Sequence, residues 1–171
     1  MNAVLFIVGE PGVGKTTLCR ALLGPLDALT LVPKPKWTLG GWICAAGHYS
    51  GGPFDGADRV PYNGVQESLQ YWLKHLRSYS VTLLDGDRFS YVSTVAFFRS
   101  HGIEVSSVLL QAPSQLVAER RVARGSQQNE AWLRGRVTKA QRFHEQVGGL
   151  SLDAQAPIEV LATTIRARLA L

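Results

Sequence analysis

The chain has 171 residues, 46% of them hydrophobic, and 18 basic against 13 acidic side chains give a net charge of +5. That length and apolar fraction suit one domain burying its own core and exclude a disordered chain. With two cysteines and no apolar run near the roughly 18 residues that span a membrane, neither a disulfide scaffold nor a membrane anchor is expected.

Residues 3–8, AVLFIV, form a compact apolar run ending at Gly9, the pattern of a buried parallel strand. The opening MNAVLFIV lacks the basic flank of a signal peptide, so the expected location is cytoplasmic. Residues 16–23 have helical character and stop at Gly24-Pro25, and 29–32 suggest a second short strand. The segment 33–62 is irregular and rich in Gly, Pro and aromatics, with a strand expected at 42–46. An insertion of that length inside a compact domain is usually functional.

Asn63 is placed to cap a helix running to about residue 79, with Val65, Leu69, Trp72, Leu73 and Leu76 at helical spacing. Residues 81–84 read as a buried strand, followed by DGDR. A helix over 91–100 ends at Gly102, and 105–110 is a strand. Ser114 caps the helix SQLVAERRVAR, 125–129 is a polar loop, and 130–147 is a helix closed by Gly148-Gly149. A last short strand is expected at 158–161 before a helix at 163–169. This alternation predicts a three-layer α/β domain over residues 1–171, a parallel sheet of about five strands with helices on both faces.

The stretch GEPGVGKTT, residues 9–17, matches G-x-x-x-x-G-K-[ST] between a strand and a helix. In this loop of Gly9, Glu10, Pro11, Gly12, Val13 and Gly14 the glycines let backbone N–H groups converge on a β-phosphate, and Lys15 reaches the β- and γ-oxygens. The Thr16 hydroxyl suits Mg²⁺, Thr17 continues the turn, and the helix that starts here points its positive end at the anion. Such a loop needs a carboxylate at the end of a neighbouring strand. Asp85 stands there, with Asp87 as the alternative. Arg88 follows, placed either to bind an acceptor phosphate or to pair with Asp87.

The segment LLDGDRF, residues 83–89, resembles the Asp-Gly-x-x-Arg segment of adenylate kinases and related nucleoside monophosphate kinases. The segment APSQLVAERRVARG, 112–125, is similar to the arginine-bearing helix that leads into their mobile lid. That resemblance implies the P-loop kinase fold and ATP with Mg²⁺. It places Arg120 by the adenine and Arg121 or Arg124 by the transferring phosphates. Arg134 and Arg136 would return from a short lid over about 121–136. Arginine suits this task because its fixed fork of donors stabilises charge spread over phosphoryl oxygens. The base-recognition motif Asn/Thr-Lys-x-Asp of GTPases is absent.

The insertion would cross above the strand C-termini, where ligands sit in open α/β sheets. It carries Trp37, Trp42, His48, Tyr49, Phe54 and Tyr62, with Lys34, Lys36 and Arg59 among them. Aromatics mixed with bases suit a stacked nucleobase and its phosphates; the alternative is an apolar cluster beneath a long loop. The stretch GHYSGGPFDGADRVPYNGVQ, 47–66, resembles a segment of phage-encoded kinases that phosphorylate 5-hydroxymethyluridine in DNA. Their Phe-x-Gly-Thr-Asp is matched by Phe54-Asp55-Gly56-Ala57-Asp58, with Ala57 in place of threonine, and their Glu-Gly-x-Arg by DGDR.

This second resemblance implies ATP-dependent phosphorylation of a base hydroxymethyl group in DNA inside a phage-infected cell, with Asp58 as general base and Asp55 second. A base in a duplex would have to be flipped or presented single-stranded to reach the loop. The alternative acceptor is a free nucleoside, nucleotide or other small metabolite.

Overall fold

In the computed structural model, which describes residues 2–52, 54–123, 125 and 129–169, the first strand decides the layering. In β1 (Ala3–Gly9), Val4, Phe6 and Val8 point to one face and Leu5 and Ile7 to the other, and both sets are buried. A strand covered on both faces belongs in the middle of a sheet with helices on each side. β1 pairs in parallel with β5 (Val81–Asp85) and β6 (Glu104–Gln111). Outside these lie β4 (Ile43–Ala46), parallel to β5, and β7 (Gly149–Asp153), parallel to β6.

Two further strands, β2 (Thr30–Val32) and β3 (Trp37–Gly40), extend the sheet antiparallel to β4, giving the order β2-β3-β4-β5-β1-β6-β7. Strands β1, β4, β5 and β6 stand where the sequence predicts them and β2 matches the short strand expected at 29–32, whereas β3 is an addition from the first half of the insertion. The alternation Trp37-Thr38-Leu39 hides there among glycines and prolines.

Helices α1 (Lys15–Leu23), α4 (Ser114–Ala123) and α6 (Ile158–Arg168) pack on the Leu5/Ile7 face through Leu18, Val117 and Ile165. Helices α2 (Val65–Tyr71), α3 (Val92–Ser100) and α5 (Glu130–Val147) cover the Val4/Phe6 face. There Phe143 meets Phe6 edge-on at 4.9 Å, and Phe98 meets Trp72 at 4.7 Å. Cys19 and Cys44 are free thiols buried on opposite faces of the sheet. Among the described residues, no helix is long and apolar enough to cross a membrane.

Three local expectations are corrected. Residues 158–161 are the first turn of α6, not a strand; the last strand is β7, a half-buried edge whose Leu150 and Leu152 alternate with exposed residues. Asn63 does not cap α2, which grows directly from a 3₁₀ turn at Tyr62–Gly64 without a side-chain cap. That helix then widens into a π-helical segment, Trp72–Leu76, where the Trp72 indole N–H donates to Thr82 Oγ1 at 2.8 Å. Ser114 is the first residue of α4.

Candidate active site

The C-terminal ends of β1 and β5 lie side by side, with Ile7 in register with Asp85. From the first emerges the loop Gly9–Gly14 and then α1, whose N-terminal end faces outward from the same edge. Val13 is buried beneath the loop. Lys15 Nζ donates to the carbonyls of Gly9 and Glu10, each at 2.9 Å, holding the loop curled around its own ammonium. Two arginines of α4 brace the same loop from behind. Arg120 donates to the Val13 carbonyl at 3.1 Å, and Arg121 to the Pro11 carbonyl at 3.4 Å, with Glu10 3.7 Å away.

Asp85 closes the strand beside this loop and is 4% exposed. Its Oδ2 accepts from the Thr16 hydroxyl at 3.0 Å and its Oδ1 from the Ala57 N–H at 2.7 Å. Burial raises its pKa, opposed by the Ala57 and Thr16 hydrogen bonds and the charge of Lys15. A buried carboxylate bonded to a hydroxyl at a helix N-terminus, beside a lysine, is a donor set suited to a hard divalent cation.

The insertion reaches the site through one glycine. Gly56 has φ +103° and ψ −164°, backbone that side-chain-bearing residues rarely adopt. A Cβ there would stand 2.8 Å from Asp85 Oδ2 and 3.2 Å from Thr16 Oγ1. The missing side chain lets the chain pass over the carboxylate and present Ala57 N–H to it. The 3₁₀ turn Ala57–Arg59 then places Asp58 beside Arg88, 3.6 Å away. Arg88 lies over the Tyr62 ring at 3.6 Å, and its buried Nε has no hydrogen-bond partner among the described residues.

Arg88 and Tyr62 form one wall of a cleft of about 310 Å³ whose other sides include Gln66, Tyr91, Thr94 and Phe97. The Asp58 side chain is 80% exposed at the Arg88 end of this arrangement.

The two other aspartates of the region are engaged elsewhere. Asp55, the second candidate base, is buried and accepts from Arg20 at 2.7 Å, the Gly51 N–H at 2.8 Å and the Ser50 hydroxyl at 3.1 Å. Burial would raise its pKa, but the Arg20, Gly51 and Ser50 hydrogen bonds outweigh it and hold the carboxyl below its ordinary value. It is a latch holding the insertion to α1, its side chain closed off from solvent. Asp87, the alternative metal carboxylate, pairs with Arg136 and lies 3.8 Å from Lys139, tying α5 to the end of β5.

Several acceptor-side expectations are corrected as well. Trp37 and Tyr49 are fully buried, in the cores on opposite faces of the sheet, and offer no surface to a ligand. Burial, then the charge of Asp85, raises the pKa of the Tyr49 hydroxyl. Trp42 is exposed but precedes β4, at the opposite end of the sheet from Asp85. His48 Nε2 is bonded to the Val32 carbonyl at 2.8 Å, a structural tie to β2. Phe54 is 84% exposed with φ +58°, and Arg59 Nε donates to its carbonyl at 3.0 Å. Arg134 is exposed, 3.6 Å from Glu130, and Arg124 lies outside the described residues.

The sequence reading passed over Arg20 and gave Gly56 no role. Both left a signal. Arg20 is four residues after Thr16 and so shares its helix face, and Gly56 follows Asp55 in an Asp-Gly pair, a turn signal.

The family model for P-loop Nucleotide Kinase3 matches residues 1–165. A search of curated proteins returned no match. Among solved structures, an unliganded sugar kinase from Janibacter sp. HTCC2649 is 16% identical with a TM-score of 0.57, covering 99% of this chain and 95% of its own. The tunicamycin resistance protein of Deinococcus radiodurans is 19% identical at TM-score 0.57, covering 100% and 97%. Shikimate kinase from Bacteroides thetaiotaomicron is 16% identical at TM-score 0.55, covering 99% of each chain. At these identities the structures establish a shared fold.

Proposed function

The chain belongs to the P-loop nucleotide kinase family and is a phosphotransferase, and on that premise we propose that it moves the γ-phosphate of ATP to a hydroxyl of a compact acceptor held at the Arg88–Tyr62 cleft. The observation that carries the proposal is the turn Gly56–Asp58. One backbone segment bonds the donor-side carboxylate Asp85 and delivers the acceptor-side carboxylate Asp58.

The acceptor hydroxyl gives its proton to Asp58 as its oxygen bonds to the γ-phosphorus. The bond from that phosphorus to the β,γ-bridging oxygen breaks, and its electron pair leaves with ADP. Lys15 exchanges its carbonyl partners for β- and γ-oxygens, and the backbone N–H groups of Gly12–Thr17 cradle the β-phosphate. Thr16 and Asp85 are the residues that would hold Mg²⁺, which would neutralise charge on the phosphate oxygens. Arg121 is near enough to the loop to turn from the Pro11 carbonyl to a phosphoryl oxygen, and Arg120 borders the adenine side.

A free small molecule is the better-supported acceptor. The solved structures sharing this fold include proteins named for sugar and shikimate, and a cleft of about 310 Å³ is of the size that holds one ring. A second reading, a hydroxymethyl group on a pyrimidine in DNA, is favoured by the exposed rings of Tyr62 and Tyr91 at the cleft, platforms on which a base can stack.

The test is incubation with γ-labelled ATP and four acceptor sets: sugars and hydroxy acids, free nucleosides and nucleotides, ordinary DNA, and hydroxymethyluracil-containing DNA. Label on a hydroxyl acceptor is expected. ATP hydrolysis with label on none of them contradicts the proposal, and the labelled set decides between the readings.

A further inference from the structure

Glu10 is the one acidic residue in GEPGVGKTT, a loop suited to a strongly anionic ligand. A carboxylate in such a loop opposes the charge of what the loop binds. The backbone does not call for it: Lys15 takes the Glu10 carbonyl, which any residue would supply there. The side chain is instead directed to α4. Its Oε2 lies 3.7 Å from Nη1 of Arg121, the nitrogen that also donates to the Pro11 carbonyl at 3.4 Å. Both side chains are largely buried, Glu10 17% and Arg121 16% exposed. Gly12 adds an independent sign. Its φ is +90°, and a Cβ there would stand 2.9 Å from Arg121 Cγ and 3.5 Å from Val117 Cγ1. The glycine makes room for the Arg121 stem to lie against the loop. Val117, one helical turn earlier on the same face of α4, is buried in the core. The stem is thus fixed by packing, and the direction of the guanidinium is left to the groups around it.

We propose that Glu10 is a positioning residue for Arg121. As the guanidinium turns from the Pro11 carbonyl, Glu10 keeps hold of Nη1 and orients the rest of the fork toward the transferring phosphoryl group. The proposal rests on the phosphoryl role given to Arg121 above. Glu10 then has two effects of opposite sign. Its charge weakens binding of the ground-state nucleotide, and its grip on Arg121 strengthens binding of the transition state. A carboxylate that only braced α4 against the loop would not produce that split.

The test uses two probes that need no acceptor, each titrated into the full chain with Mg²⁺ and followed by calorimetry. The β,γ-imido analogue of ATP reports the ground state, and ADP with tetrafluoroaluminate reports the transition state. Wild type is expected to bind ADP more tightly with tetrafluoroaluminate than without. Glu10→Gln keeps the volume and removes the charge. It is expected to bind the ATP analogue as tightly as wild type or up to about threefold more tightly, and the fluoroaluminate complex about tenfold more weakly. Arg121→Ala is expected to lose the fluoroaluminate preference, and the double variant to lose no more than Arg121→Ala alone. Equal losses of both probes in Glu10→Gln, no loss of either, additive losses in the double variant, or a wild type indifferent to tetrafluoroaluminate overturns the proposal. The two failures separate. The split in probe binding with label on no acceptor contradicts the acceptor reading alone. Label on an acceptor without the split contradicts the Glu10 role alone.

Discussion

The backbone N–H of Ala57 donates to Oδ1 of Asp85 at 2.7 Å, so the acceptor-side insertion and the phosphate-side strand share one hydrogen bond. Asp85 keeps Oδ2 for Thr16 at 3.0 Å. A buried carboxylate satisfied from both sides is held in one orientation, and the insertion is thereby positioned by the group we propose to serve the donor phosphates.

Gly56→Ala tests that coupling. The new methyl would meet Asp85 Oδ2 at 2.8 Å in backbone that disfavours any side chain. The expected cost is about 2–3 kcal/mol of stability, read as a melting temperature lower by roughly 5–10 °C. Transfer activity is expected to fall at least about tenfold, because Asp58 moves with the turn. A variant with wild-type melting and turnover would show that the close approach does not matter.

The Asp55 latch gives a pH dependence with a definite sign. Its folded-state pKa lies below the ordinary value of 3.8, so the latch adds stability above the unfolded pKa and loses it as the pH falls through the folded one. Asp55→Asn is expected to cost about 2 kcal/mol at neutral pH. The gap between wild type and variant should narrow as the pH drops below about 4. Denaturant titrations at neutral and acid pH measure both, and a pH-independent gap would contradict the latch.

How far the sequence revealed this site differs between its two halves. The donor half was legible because its chemistry is local: a loop of fixed spacing after an apolar strand, and an aspartate at the end of another. The acceptor half depends on contacts between distant segments. Nothing near Trp37 or Tyr49 in the chain shows that β3 and the turn after β4 bury them, whereas Tyr62, read with the same weight, ends up stacked on Arg88. Asp55 and Asp58 are equally acidic and three positions apart. Arg20, placed by α1 and outside the insertion, joins Gly51 and Ser50 in locking Asp55, while Asp58 stays exposed beside Arg88.

Arg88→Lys separates positioning from charge. Lysine keeps the cation but loses the planar fork and the stacking on Tyr62. The expected result is an acceptor KM raised about tenfold with ATP affinity unchanged. An unaltered acceptor KM would remove Arg88 from the acceptor cleft's function.

The measurement that bears most directly on the central claim is single-turnover transfer from γ-labelled ATP by wild type, Asp58→Asn and Lys15→Ala, with ATP binding followed by calorimetry on the same samples. Asp58→Asn is expected to bind ATP as wild type does while transfer slows by about a hundredfold or more, and Lys15→Ala is expected to lose both binding and transfer. Wild-type transfer by Asp58→Asn would show that the turn Gly56–Asp58 does not deliver the base, and would contradict the account.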